Sequence, residues 1–193
     1  PNQNVDIAPA FRFYSIYNNF HYNPNNEYYT ILLLLPINVE SASNILTILN
    51  SYRAEDKLSK VRIWIKPHPT MSSRLINKLL KHVTKDFKIV NQELFLTLST
   101  TDILIGTMTS GCLEAMGLGI PVIVHEQPYG LSAIPSEIPQ NLWKLCASEK
   151  DMFNAINNFR NRSDEIKDMS YYIRENYFEQ VTRDNILRFL ELG

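Results

Sequence analysis

Between Asp102 and Glu126 the sequence reads DILIGTMTSGCLEAMGLGIPVIVHE. A short apolar run, Ile103 to Ile105, meets a small polar turn from Gly106 to Gly111. A helix-compatible stretch follows from Cys112 to Leu118, and a second apolar run from Pro121 to Val124. Strand, turn, helix and strand in that order predict one βαβ unit. The turn of such a unit lies at the carboxyl end of its first strand, where α/β sheets bind ligands, and it is also a helix N-terminus whose free amides suit an anion. Thr107, Thr109 and Ser110 add hydroxyls, Gly111 permits close backbone approach, and Glu114 stands one helical turn beyond Ser110 on the same face, placed for a ribose diol. The same residues have an ordinary structural reading. Any crossover needs a small-residue turn, Thr and Ser are common N-caps, and an early helix glutamate is favoured by the helix dipole. The turn has neither the P-loop lysine pattern nor the three-glycine dinucleotide fingerprint, which argues against a kinase or a nicotinamide enzyme.

The flanking sequence extends the pattern. Tyr28 to Leu35 carries five successive aliphatics from Ile31, as expected of a strand buried on both faces, and Pro36 stops it. Glu40 to Arg53 places Ile45, Leu46, Ile48 and Leu49 at helical spacing. Val61, Ile63 and Ile65 alternate as a strand; Arg74 to Thr84 reads as a helix with Leu75, Ile76, Leu79, Leu80 and Val83 buried, capped by Ser72 or Ser73. Phe87 to Val90 is a short strand and Glu93 to Ser99 a short helix. After the central unit, Leu142 to Ala147 is a last strand. Ser148 to Asp151 looks like a capping box, and amphipathic helices are expected over Asp164 to Phe178 and Thr182 to Leu192. The order predicts an α/β class, a Rossmann-like doubly wound parallel sheet with flanking helices. Residues 1–27, rich in Asn and aromatics, read as a linker or the tail of a missing N-terminal domain, and residues 28–193 as one Rossmann-like domain.

Two further features carry chemistry. The strand ending at Ile65 runs into Lys66-Pro67-His68-Pro69, where the prolines keep His68 extended at the same sheet edge as the Ser110 turn. An imidazole there can donate to a phosphate oxygen, with Lys66 or Thr70 assisting. By itself His68 reads rather as a histidine that caps a proline turn; beside the Ser110 turn it reads as functional. After Val124, His125, Glu126 and Gln127 open a long loop with three prolines, positioned to contact a sugar or base, though a polar strand exit accounts for them almost as well. His21 and His82 have no such context.

Composition bounds the rest. A chain of 193 residues with 45% hydrophobic content can bury a real core. Its 19 basic and 20 acidic residues leave a net charge of -1, which gives no global pull toward nucleic acid. Two cysteines, Cys112 and Cys146, are too few for a disulfide framework or a zinc site and predict a reduced, cytoplasmic setting. No run approaches a membrane span or a signal peptide, and the start at Pro1 rather than Met predicts a piece of a longer chain.

KPHP after a strand, followed by DILIGTMTSGCLEAMGLGIPVIV, resembles the C-terminal, donor-binding half of the GT-B glycosyltransferases. The likeness is greatest to bacterial surface and capsular polysaccharide enzymes whose histidine-proline motif is shared with polysialyltransferases, Kdo transferases and teichoic acid glycerophosphotransferases. It runs from Tyr28 to the C-terminus, and PAFRFY resembles the entry into the interdomain linker. The resemblance implies that His68 contacts the donor phosphate catalytically, that Thr109 and Ser110 bind phosphate, and that Glu114 binds the ribose. Retaining members carry two glutamates with seven residues between them. Here the first position is Gly106, which implies an inverting, metal-independent transferase. The implied donor is CMP- or CDP-linked, with no cofactor. The implied acceptor is a carbohydrate or lipid-linked glycan held by the missing domain, which also supplies the general base; the isolated domain is then inactive, and the complete protein admits peripheral membrane association. A nucleotide-sugar epimerase of the same fold and a non-catalytic nucleotide-sugar-binding scaffold are the alternatives.

Overall fold

The aliphatic run from Ile31 to Leu35 forms the heart of β1 (Tyr29–Leu35), with β2 (Val61–Pro67) on one side and β4 (Ile103–Gly106) on the other. The structure, a computed structural model, describes residues 10–14, 23, 27–54, 60–83, 87–107, 109–127, 134, 137–161 and 166–190. With β3 (Phe87–Ile89), β5 (Val122–His125) and β6 (Trp143–Cys146) these strands make one six-stranded, all-parallel sheet in the order β3-β2-β1-β4-β5-β6. One row of side chains crosses it in register: Ile89, Ile65, Leu33, Ile105 and Ile123. The last four are fully buried. A strand covered on both faces has no solvent side on which to place polar residues, which is why the central strands read as unbroken apolar runs.

The helices are α1 (Val39–Ala54), α2 (Ser73–Leu79), α3 (Leu94–Leu98), α4 (Ser110–Gly117), α5 (Glu149–Arg160), α6 (Ile166–Tyr177) and α7 (Arg183–Phe189). The step from β1 to β2 runs one way along the sheet and that from β4 to β5 the other. Right-handed crossovers therefore put α1 and α4 on opposite faces. Packing agrees. On one face α1 touches α2, and the Tyr52 hydroxyl of α1 donates to Asn157 Oδ1 of α5 at 3.1 Å while its ring meets Phe153 edge-on at 4.8 Å. On the other face α4 packs against α6 and against Leu94 of α3.

Local chemistry fixes the helix ends. Ser72 Oγ accepts the Leu75 N–H at 3.3 Å, and Ser148 Oγ accepts that of Asp151 at 3.2 Å while donating to its Oδ2 at 2.7 Å. The helix α4 ends in a Schellman turn: Gly119, at φ 76°, donates to the Met116 carbonyl at 3.0 Å and Ile120 to the Ala115 carbonyl at 2.9 Å. Glycine takes that left-handed backbone without the Cβ penalty. Two expectations shift. The helix expected from Arg74 is α-helical only to Leu79, then a 3-10 turn over Leu80–His82, and none of α2 is fully buried. It lies beside the edge strands, so Leu79, Leu80 and Val83 are only partly covered by the core. The first crossover helix starts at Val39, because Asn38 Oδ1 accepts the Ser41 N–H at 2.9 Å and caps it. The last two helices lie inside their expected bounds.

Part of the expected linker packs on the far end of this same chain. The Ala10 N–H donates to the Glu179 carbonyl at 2.9 Å, and the Phe13 ring lies 4.6 Å from that of Phe178. His21 lies outside the described residues. No helix among the described residues is long and apolar enough to cross a membrane.

Candidate functional site

Strand order reverses between β1 and β4, so the loops leaving their carboxyl ends diverge and open a crevice there. Alternation along the strands then decides which face each side chain serves. Leu34 points to the α4 face, where its Cδ1 would lie 2.7 Å from a Cβ at Gly111. Lys66 pairs with Leu34 in register and His68 follows two residues later, so both belong to that face. Val124 shares the Leu34 row through Gly106; His125, one residue on, faces α1 instead.

A cavity of about 560 Å³ occupies the α4 side of the crevice. It brings together Lys66 and His68 from the end of β2, Thr107 from β4, and Thr109, Ser110 and Gly111 from the start of α4. Leu34 to Asn38, Pro67, Pro69, Leu94 and Gln127 complete a mostly apolar wall. Thr109 is the N-cap of α4, in extended backbone, and its side chain caps no amide. The Cys112 N–H turns back to the Thr109 carbonyl at 3.0 Å, whereas the first amides of a helix, here those of Ser110 and Gly111, have no intrahelical acceptor. Beneath it the Cys112 thiol donates to the Thr107 carbonyl at 3.3 Å, and burial pushes that thiol up from its ordinary range.

His68 is held in one tautomer. The Thr70 N–H donates to its Nδ1 at 3.3 Å and the Thr70 hydroxyl lies 2.9 Å away, while the Met71 N–H closes the turn on the His68 carbonyl at 2.9 Å. Because a backbone N–H can only donate, Nδ1 is the acceptor and the ring proton resides on Nε2, available to an anion. Lys66 Nζ donates to the Gln92 carbonyl, which steadies the ammonium at the rim and leaves two of its protons.

Gly111 is required by packing more directly than by a ligand. Its added Cβ would meet Leu34 Cδ1 at 2.7 Å and Leu94 Cδ2 at 3.1 Å. Leu34 itself lines the cavity. Gly111→Ala is therefore expected to drive Leu34 into the crevice, costing about 1 kcal/mol of stability once the better helix propensity of Ala is counted, and to reduce nucleotide affinity several-fold. Denaturant titration together with ligand titration checks both effects.

A second cavity, about 750 Å³, lies on the α1 side and shares Asn38 and Gln127 with the first. His125, Glu126, Glu40 and Ser41 line it. Gln127 Nε2 lies 3.2 Å from the Glu126 carbonyl and 3.5 Å from that of His125, which identifies it as the amide nitrogen; it also lies 3.1 Å from His125 Nδ1. The Gln127 Oε1 accepts from the Ser41 hydroxyl. Nδ1 of His125 is thus an acceptor and the imidazole is neutral, in keeping with burial lowering its pKa from 6.5 against the opposing pull of Glu126. With the folded pKa below the unfolded one, the stability this group contributes is complete above pH 6.5 and is lost as pH falls from there through the folded pKa. Unfolding midpoints measured across that window should show a slope that His125→Gln removes; an unchanged slope would contradict the assignment.

Six of the nine residues singled out in the sequence meet in the first cavity and two, His125 and Glu126, line the second. Glu114 lines neither; it is half-buried in the second turn of α4. The contribution of Leu34 to Asn38 was missed, since only the sheet order brings β1 beside β4. Asn38, a capping residue shortly after an apolar strand, was the available signal. Both cysteines are free and buried, and burial with the nearby Asp151 carboxylate raises Cys146 to about 11.

No protein-family model matches the sequence, and no curated protein matches it. Solved structures do. A spinosyn rhamnosyltransferase, SpnG, complexed with thymidine diphosphate is 17% identical, with a TM-score of 0.59 over 87% of this chain and 46% of its own. UDP-GlcNAc 2-epimerase from Neisseria meningitidis, bound to UDP-GlcNAc, is 16% identical, with a TM-score of 0.56 over 95% of this chain and 45% of its own. The accessory secretory protein 1, 2 and 3 structure from Streptococcus pneumoniae is 15% identical, with a TM-score of 0.58 over 86% of this chain and 34% of that one. The chain thus spans less than half the length of these structures. The likeness is one of fold: the Rossmann-like α/β half of the GT-B architecture.

Proposed function

We propose that this chain is the donor-binding domain of a glycosyltransferase that transfers a sugar from a nucleotide with inversion, without a metal ion, in surface carbohydrate synthesis. The observation that carries the reading is the meeting of the His68 imidazole, the Lys66 ammonium and the uncapped start of α4 in one crevice at the strand-order reversal. Those groups answer one chemistry, a phosphate whose negative charge grows as it leaves. An acceptor hydroxyl attacks the anomeric carbon from the face opposite the phosphate. The bond from that carbon to the phosphate oxygen breaks, its electron pair stays on that oxygen, and the hydroxyl proton passes to a base on a second domain. In this scheme His68 donates from Nε2 to the leaving phosphate, Lys66 offsets its charge, and the Thr109 and Ser110 hydroxyls orient it. Apolar residues such as Leu34, Ile37 and Leu94 offer the base a low-polarity wall. Cytidine is the first base to test, on the resemblance of the KPHP segment. Glu114 fits the ribose role only for a nucleoside that reaches over the side of α4.

Calorimetric titration with CMP, CDP, UDP and GDP tests the reading. Binding of one of them at micromolar to submillimolar concentration is expected; silence from all four at millimolar concentration would count against the donor site. A nucleotide-sugar epimerase is the second reading, favoured by the coverage of the Neisseria enzyme over 95% of this chain. A product assay on a protein containing both halves separates an isomerised donor from a transferred sugar.

A further inference from the structure

The second cavity says something about the group that the nucleotide carries, given the donor-site reading above. Its walls differ from those of the first. The first is mostly apolar with an anion-binding end; the second adds to Ile48 and Ala147 a set of amides, hydroxyls, a histidine and two carboxylates, with no lysine or arginine among its described lining residues. Asn38 and Gln127 belong to both, so the two spaces adjoin there.

We propose that this second cavity receives the transferred group, and that it selects an uncharged, hydroxyl-rich sugar or polyol against a carboxylated one. Its polar groups are paired to each other in a way that fixes their outward faces. Gln127 gives its two amide protons to His125 Nδ1 and the Glu126 carbonyl, and its oxygen accepts from Ser41. His125, with nine tenths of its surface buried, is left with Nε2–H as a donor to a ligand oxygen. Glu40 and Glu126, both exposed at the rim, are acceptors for sugar hydroxyls. A sugar carboxylate entering the same space would face these two carboxylates with no cation among the described lining residues to meet it. Like charges at short range disfavour binding, and the neutral imidazole cannot compensate. Among cytidine donors this favours a CDP-linked neutral group over a CMP-linked carboxylated sugar.

The test uses the chain as it stands, with matched donors titrated in competition against the bare nucleotide: UDP-glucose against UDP-glucuronate, GDP-mannose against GDP-mannuronate, and CDP-glucose against CDP-glucuronate. For the base that binds, the neutral donor should bind at least as tightly as its bare nucleotide and about tenfold or more tighter than the carboxylated donor. In the double variant Glu40→Gln, Glu126→Gln, whose changes are at exposed positions, that preference should shrink to within about threefold, each donor being compared with the bare nucleotide on the same variant. Equal affinities for the matched pair, a preference for the carboxylated member, or a preference that survives the double substitution would each overturn the proposal. If no nucleotide binds at all, the donor-site reading itself fails and takes this one with it.

Discussion

His68→Ala is expected to weaken nucleotide binding roughly tenfold to a hundredfold, the loss of one charge-assisted phosphate contact of about 1.5–3 kcal/mol, with little change in thermal stability. The expectation rests on the two local restraints on the ring. Flanking prolines hold the backbone extended, and Thr70 occupies Nδ1. Because Nε2 is then the donor, His68→Asn retains a side-chain N–H and should recover part of the affinity, whereas Ala should not. Ser110→Ala should cost less than His68→Ala, since the backbone amides of the α4 turn remain. Titration of the three variants with the best-binding nucleotide decides the matter: equal affinities throughout would remove His68 from the site.

Leu33→Ala should have the largest effect on the fold. Leu33 is fully buried in the middle strand, opposite Ile65 on one side and Ile105 on the other. Truncation there removes apolar contacts and leaves a cavity that two hydrogen-bonded neighbours prevent from collapsing. The expected cost is about 2–5 kcal/mol, which lowers Tm by roughly 4–20 °C in a chain of this size. Below its melting point the variant should still bind nucleotide with nearly normal affinity, because Leu33 is one row beneath the crevice. A variant that melted normally would mean that the central row is not packed as described.

Much of this architecture was legible from local pattern. Runs such as Ile31 to Leu35 and Ile103 to Ile105 announce doubly covered strands, and Ser72 and Ser148 mark helix starts that their side-chain oxygens do cap. What was not legible depends on partners distant in sequence. Nothing near Asn38 reveals that β1 lies beside β4, so the β1 loop was not read as part of the crevice. Gly111 looked like an accommodation to a ligand, yet the atoms nearest its missing Cβ belong to Leu34 and Leu94. Glu114 follows Ser110 by one helical turn, but spacing along a helix does not reveal how that helix is rotated against the crevice, and the glutamate lines neither cavity. The α2 helix was read too long because a periodic apolar stripe does not say how much sheet is available to cover it.

At the exits of the strands, the two-residue repeat acts as an address. Lys66 and His68 are two residues apart and share one face; Val124 and His125 are adjacent and serve different faces. Substitution within β5 can therefore tune one cavity without touching the other. Inserting a single residue just ahead of His125 would turn the imidazole to the α4 face, and deleting one would do the same while bringing Glu126 to the α1 face. For anyone remodelling this domain, length changes in β5 must come in pairs.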